Sequence, residues 1–318
     1  MTTPIRAQSR ETFAHEALLY AGVDSFVEGC AAFIREGVAA GEPVLVVVAA
    51  HKIALLREEL KGDADHVHFA DMADVGMNPA RIIPAWQDFV DRHLRVDQPV
   101  RGIGEPIWAG RTATELVECQ RHEALLNVAF AYAPAWQLLC PYDTSNLPDA
   151  VIDEALRNHP IVVNGTTRYA SDRFRGVKEF ERPFDAPLPE PPTDALVIPF
   201  DRHGLADGRY LVYARAADAG LSTARTSDLV LAVNEILTNS VRHGGGTGVL
   251  RIWQDNGSVV CEVEDAGSIA DPLADRRKPD PNRPGGRGLW MANQLCDLVQ
   301  IRARPSGNLV RMHMRRAA

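Results

Sequence analysis

The residues whose types and spacing could do chemistry lie between 222 and 297. Glu235 and Asn239 are four apart in a helical pattern, so they share one face, one turn from each other. A helical Asn can give its amide oxygen to Mg²⁺, which takes oxygen ligands and keeps several waters. A carboxylate one turn away can accept a proton from an attacking hydroxyl. Asp265 closes the apolar run Val259-Val-Cys-Glu-Val263 and leads into Ala266-Gly267. Gly285-Gly-Arg-Gly288-Leu289 opens a helix, and glycines there let backbone N–H groups meet phosphates at the helix's positive end. The blander alternatives are a solvated pair on an amphipathic helix and an ordinary flexible turn.

The elements that must position these groups follow from the pattern. Residues 195–200 read as a strand and 204–219 as a helix. A longer helix runs from Ser222, a plausible N-cap, to His243. Leu229, Val233, Ile236, Leu237 and Val241 give that helix a buried stripe, and Gly244-Gly-Gly246 stops it. Val249–Trp253 and Val259–Val263 pair around the Asp255-Asn-Gly257 turn. A basic, proline-rich run, Arg276–Arg283, is either a mobile lid or a solvated loop. A helix from Gly288 to about Asp297 and strands near 299–304 and 308–314 complete a mixed sheet with helices on one face, an α/β sandwich.

Together these motifs resemble the GHKL ATPases and their Bergerat ATP-binding fold. The N-box is Asn234-Glu235-Ile-Leu-Thr-Asn239-Ser-Val-Arg-His243-Gly244, the G1 box Glu264-Asp265-Ala-Gly267, and the G2 box Gly286-Arg-Gly288-Leu289. The resemblance implies ATP as ligand and Mg²⁺ on Asn239, with Glu235 as catalytic base. It implies adenine on Asp265 and further nucleotide contacts from Gly267, Gly286, Gly288, Leu289, His243 and Arg283. Two departures stand out. The usual Asp-x-Gly-x-Gly lacks its second glycine, with Ile269 in that place, and Gly307-Asn308 stands where Gly-Thr is common.

The small size and short lid resemble the anti-sigma-factor serine/threonine kinases. Such a protein sequesters a sigma factor and phosphorylates a serine or threonine of an anti-anti-sigma partner of the STAS type. Two alternatives stay open. A sensor histidine kinase would need a phosphoacceptor His on a helical hairpin just before residue 195, where the proline tract stands. A non-catalytic module would use ATP only to shape a surface for a partner.

That tract, Pro183–Pro192, holds five prolines in ten residues, which exclude a helix or central strand. It sets the expected boundaries: 1–182, a linker 183–194, and 195–318. Before it, apolar runs at 43–49, 66–70, 100–104, 136–140 and 161–163 alternate with helical stretches near 23–40, 51–61, 79–95, 111–131 and 149–158. Such alternation predicts a parallel sheet covered on both faces. No Gly-x-x-x-x-Gly-Lys-Ser/Thr follows the first of these strands, so a phosphate cradle is not expected there. His15, Glu105, Glu123, Asn127, Tyr142 and Asp143 are candidate ligand groups, or they simply hydrogen-bond one another. Cys119-x-x-His122 lacks a second ligand pair and is poor evidence for metal. His15–Tyr20, Phe33–Gly37 with Gly41–Val44, Gly104–Trp108, Glu123–Asn127 and Cys140–Asp143 resemble the MEDS sensory domain. This resemblance spans most of 13–180 and implies a signal-input module on an α/β scaffold.

Charge is divided unevenly. Residues 1–194 carry 18 basic and 29 acidic side chains, and residues 195–318 carry 16 and 13. An anionic ligand therefore belongs to the second half, and the overall net charge of −8 argues against a general nucleic-acid binder. Five scattered cysteines without a Cys-x-x-Cys read as reduced thiols. No apolar run approaches bilayer length and the first residues lack an export signal, so a cytoplasmic location and no membrane are expected. Assembly as a homodimer is left open.

Overall fold

The polar start Ala14-His15-Glu16 opens a strand, β1 (Ala14–Tyr20), that alternation of apolar residues does not announce. It stands inside the first sheet, paired in parallel with neighbours on both sides. The computed structural model describes residues 13–93, 99–133, 136–178, 186–280, 286–304 and 306–316. Two units divide the chain, Met1–Pro183 and Phe184–Ala318.

In the first unit β1 is followed by α1 (Gly22–Ala39), β2 (Val44–Val48), α2 (Ala50–Leu60), β3 (Val67–Asp71), α3 (Met72–Gly76) and α4 (Ile82–His93). Then come β4 (Val100–Gly104), α5 (Ala113–Ala129), β5 (Trp136–Asp143), α6 (Asp149–Asn158), β6 (Ile161–Asn164) and β7 (Thr167–Ala170). The strand order is β3-β2-β4-β5-β1-β6-β7, parallel except for the β6–β7 hairpin. Leu18 and Tyr20 of β1 pack with Phe26, Cys30 and Ile34 of α1. The opposite face carries His15 and, on β5, Cys140. α5 starts at a capping box in which Thr112 Oγ1 accepts from Glu115 N and Glu115 Oε2 accepts from Thr112 N. β5 continues through Pro141 although proline cannot donate to a ladder. Pro141 lies beyond Leu139, where pairing with β4 ends, so no bond to that neighbour is lost.

The second unit contains β8 (Leu196–Asp201), α7 (Leu205–Asp218), α8 (Thr223–His243), β9 (Thr247–Asp255), β10 (Ser258–Asp265), α9 (Gly288–Leu295), β11 (Leu298–Arg304) and β12 (Gly307–Arg315). Its sheet, β11-β12-β10-β9-β8, is antiparallel at every pairing and not mixed as the sequence suggests. The reason is the helix pair. α7 and α8 carry the chain down and back up, so β9 must return opposite to β8. One sheet face meets the helices through Leu250, Ile252, Val259, Cys261, Val263, Val310 and Met312. The other is polar, and on it Glu262 accepts from both Arg251 and Arg311.

Residues 186–192, expected to act as a spacer, are attached to that polar face. Leu188 is buried, the Ala186 carbonyl accepts from Arg302 Nε at 3.1 Å, and the Pro189 carbonyl accepts from Arg311 Nη2 at 2.7 Å. A fragment starting at Phe184 should therefore fold, and it should exceed one starting at Ala195 in stability by about 2–4 kcal/mol, from one buried leucine and two charged hydrogen bonds. Urea unfolding of the two fragments reads the difference. Equal midpoints would mean that the segment contributes nothing.

Candidate functional site

α8 is capped by Ser222, whose hydroxyl accepts from Arg225 N, and Leu229, Val233, Ile236 and Leu237 sink one side of it into the core. Ser240 continues the buried side. Asn239, beside it, meets the N-terminus of α9 so closely that a Cβ on Gly288 would stand 2.4 Å from Asn239 Nδ2. The helix ends as Gly244 N donates to Ser240 O, and Gly245 and Gly246 take left-handed φ values of +88° and +87°. Gly244 is needed for a different reason. A Cβ there would lie 2.5 Å from Asp265 Cγ.

Asp265 takes the last helix-facing place on β10, after Val259, Cys261 and Val263. Its Oδ2 accepts from Ser240 Oγ at 2.5 Å, and its Oδ1 from Gly267 N at 2.8 Å and Asn308 Nδ2 at 3.4 Å. Ser240 Oγ also lies 3.1 Å from Ile236 O, but its single proton goes to the shorter, charge-assisted bond. An ionised carboxylate has about four acceptor sites. Three are taken, and the carboxylate also borders a cavity. That cavity, about 280 Å³, is walled by Asn239 and His243 of α8, Asp265, Ile269, Leu289 and Asn308.

Of the residues singled out from sequence, Asn239, His243, Asp265, Gly286, Gly288 and Leu289 line this one cavity. Gly267 supports Asp265 from behind, where a Cβ would press on Oδ1 at 2.9 Å. Glu235 stands one turn before Asn239, half-buried and away from the cavity wall. Arg283 lies outside the described residues. The two departures from the usual boxes turn out to be joined: Ile269 N donates to Asn308 Oδ1 at 3.1 Å, while the same amide's Nδ2 reaches Asp265. Sequence reasoning missed Ser240 and Gly244 as Asp265 partners. The available signal was a serine on an otherwise apolar stripe.

Arg276 is not a residue of a solvated loop. It is fully buried beside Asp275, whose carboxylate and carbonyl accept from Asn293 Nδ2 of α9. Arg277 is exposed and pairs with Asp271.

In the first unit the candidate groups bond to one another. Lys52 Nζ donates to both Glu105 oxygens at 2.6 and 2.7 Å and stands 2.6 Å from Tyr20 Oη, which itself donates to Glu105. Burial pushes the Glu105 carboxyl up, against the pull of Lys52, and burial with Glu105 nearby raises the Tyr20 phenol. Burial, aided by His159, lowers the His15 imidazole to about 4. Cys119 faces the Pro106 carbonyl at 3.4 Å. Among the described residues no helix is long and apolar enough to cross a membrane.

Residues 14–160 match the family described as MEDS, the MEthanogen/methylotroph, DcmR Sensory domain, and residues 205–314 match the histidine kinase-like ATPase domain. The chain carries a MEDS domain followed by a histidine kinase-like ATPase domain. The cavity around Asp265 thus belongs to the ATPase domain, which implies ATP binding. A crystal structure of the RsbU and RsbW domains of a Mycobacterium tuberculosis protein is 23% identical, over 39% of this chain and 33% of that one, with a TM-score of 0.30. The chain thus spans about a third of that structure's length, and the likeness decides nothing about fold or partners. No curated protein matches the chain.

In the MEDS domain, Lys52→Met would leave Glu105 buried without its counter-charge. Breaking such a pair costs about 3–5 kcal/mol, and proton uptake by Glu105 reduces this to about 2–4. The Glu105 carboxyl is already raised, so its neutral form prevails sooner as pH falls, and the loss should shrink toward acid pH. Denaturant unfolding between neutral and mildly acid pH measures it. A loss independent of pH would assign the effect to packing alone.

Proposed function

We propose that the C-terminal half binds Mg·ATP and phosphorylates a serine or threonine of a STAS-type anti-anti-sigma partner, so releasing a sigma factor, with the MEDS domain as signal input. The observation that carries this is Asp265, held by three hydrogen bonds on the wall of a cavity that Asn239 also lines. Such a carboxylate suits the adenine amino group and rejects guanine, whose O6 would bring an acceptor to an acceptor.

The residues present fit the remaining groups. Gly286 and Gly288 add no side chains of their own at the entrance of α9, where its N–H groups could meet phosphates, and Gly267 keeps Asp265 in place. Leu289 and Ile269 offer apolar walls. His243 and Arg283 would contact the nucleotide, and the Asn239 amide oxygen would hold Mg²⁺, which neutralises phosphate charge when bound. Glu235, one turn from Asn239, would take or orient the proton of the incoming hydroxyl. Glu235 is not among the residues that line the cavity, and this favours the second reading, a module that binds ATP without transferring phosphate.

Asp265→Asn should weaken ATP binding by about ten- to a hundredfold, the worth of a charged hydrogen bond, and ATP should be preferred over GTP. Unchanged calorimetric affinity in a folded variant would remove Asp265 from the site. Asn239→Ala should reduce Mg·ATP binding and turnover together. Glu235→Ala should instead keep binding and lower transfer to a STAS partner by about 10²–10⁴-fold. Transfer by Glu235→Ala at the wild-type rate excludes Glu235 as base, and no transfer by the wild type to any such partner leaves the binding module.

A further inference from the structure

His15, Glu123, Cys140 and His159 come from four elements to one buried point. His15 is on β1, and Cys140 is on the adjoining β5, on the same sheet face, opposite Ala17. Glu123 projects from α5, and His159 follows directly on α6. All four are buried, and one ligating atom of each lies within 4.8 Å of every other. Glu123 Oε2 is 3.1 Å from His15 Nε2 and 3.2 Å from His159 Nε2, and Cys140 Sγ is 3.4 Å from His15 Nε2. Four ligands around a tetrahedral zinc, with bonds of about 2.0–2.3 Å, stand about 3.3–3.7 Å from one another. Three of the six separations, 3.1, 3.2 and 3.4 Å, are already close to that spacing, and none exceeds 4.8 Å.

The second rings of contact fix which way the imidazoles face. Asn127 Nδ2 lies within hydrogen-bond distance of three carbonyls, those of Glu123, Ala124 and Asn158, so its amide NH₂ end is settled and its Oδ1 faces His15 Nδ1 at 3.3 Å. His15 Nδ1 must therefore carry the proton. His159 Nδ1 donates to the Ala155 carbonyl at 2.8 Å. With both Nδ1 atoms turned to these acceptors, both Nε2 atoms face the same Glu123 oxygen, the convergence that ligands around one shared cation have. Glu123 Oε1 is also buried without a hydrogen-bond partner.

We infer that the MEDS domain holds a divalent transition-metal ion of the zinc type, bound by His15 Nε2, His159 Nε2, the Glu123 carboxylate and the Cys140 thiolate. Imidazole and thiolate select such an ion over Mg²⁺ or Ca²⁺. Two anionic ligands cancel its charge, so the loaded site is neutral in a place where an uncompensated charge is costly. All four positions are filled by protein, as in sites that hold a fold together. Asn127 and the Ala155 carbonyl orient the rings from behind. The ion would tie two central strands to two helices on one face of the sheet. This inference is independent of the ATP reading.

The test uses the full chain. Purified from zinc-supplemented medium, it should retain one zinc per chain by elemental analysis. Reloaded with Co²⁺, it should show the absorption of a tetrahedral ion, with a thiolate-to-cobalt charge-transfer band. Cys140→Ser should remove that band, His159→Ala should remove stoichiometric metal, and Asn127→Ala should weaken binding by about 10–100-fold. Cys119→Ser, at a buried cysteine outside the cluster, should change nothing. A folded wild type that takes up neither zinc nor cobalt overturns the site, as does full metal retention in Cys140→Ser or His159→Ala. If those variants do not fold, the wild-type cobalt spectrum decides alone.

Discussion

The carboxylate at the end of β10 dictates how near three stretches of backbone must come to it. A Cβ at Gly244 would strike its carboxyl carbon, and one at Gly267 would press on its Oδ1. One at Gly307, where φ is +142°, would reach within 1.8 Å of its carbonyl oxygen. The end of α8, the exit from β10 and the β11–β12 hairpin therefore converge on one residue. Ala266 N donating to the Gly244 carbonyl fastens two of them, and Asn308 fastens the third. A glycine at each place is the steric condition for the cavity to exist.

The first unit answers to a different constraint. A parallel sheet covered on both faces leaves no water for polar groups near its centre, so each must find a partner inside. Glu105 finds Lys52 and Tyr20, and Glu16 on the opposite face from His15 finds Arg168 through two bonds. These partners are 53 to 152 residues away in sequence. Sheet order, and not local pattern, brings them together.

That difference explains what could be read in advance. In the second unit the elements and most of the cavity residues were legible, because the capping serine, the apolar stripe, the stopping glycines and the boxes all lie within short stretches of chain. What was not legible there came from contacts between stretches: Ser240 on Asp265, Asn308 on Ile269, and Arg276 buried against α9's neighbourhood. In the first unit β1 was missed because His15 and Glu16 look like surface residues until Glu123 and Arg168 are placed beside them. β5 was cut short at Cys140 because Pro141 looks like a strand end, and only the limit of β4's pairing shows otherwise. The antiparallel second sheet was read as mixed because the turn-around made by α7 and α8 is a property of connection, not of composition.

In β10 and β12 every second residue faces the helices, and Glu262 faces Arg311 on the other side, with Asp265 opposite Asn308. Deleting or inserting one residue in either strand would exchange the two rows, sending Val263 outward and Glu262 into the core. Substitutions can be absorbed there one at a time, but changes of length cannot. Length variation in this half of the molecule is therefore tolerated only between strands, and between β10 and α9 only outside the contacts made by Gly267, Ile269 and Asp275. Relatives of the domain should differ in the length of that connection while keeping the spacing of the strands on either side of it.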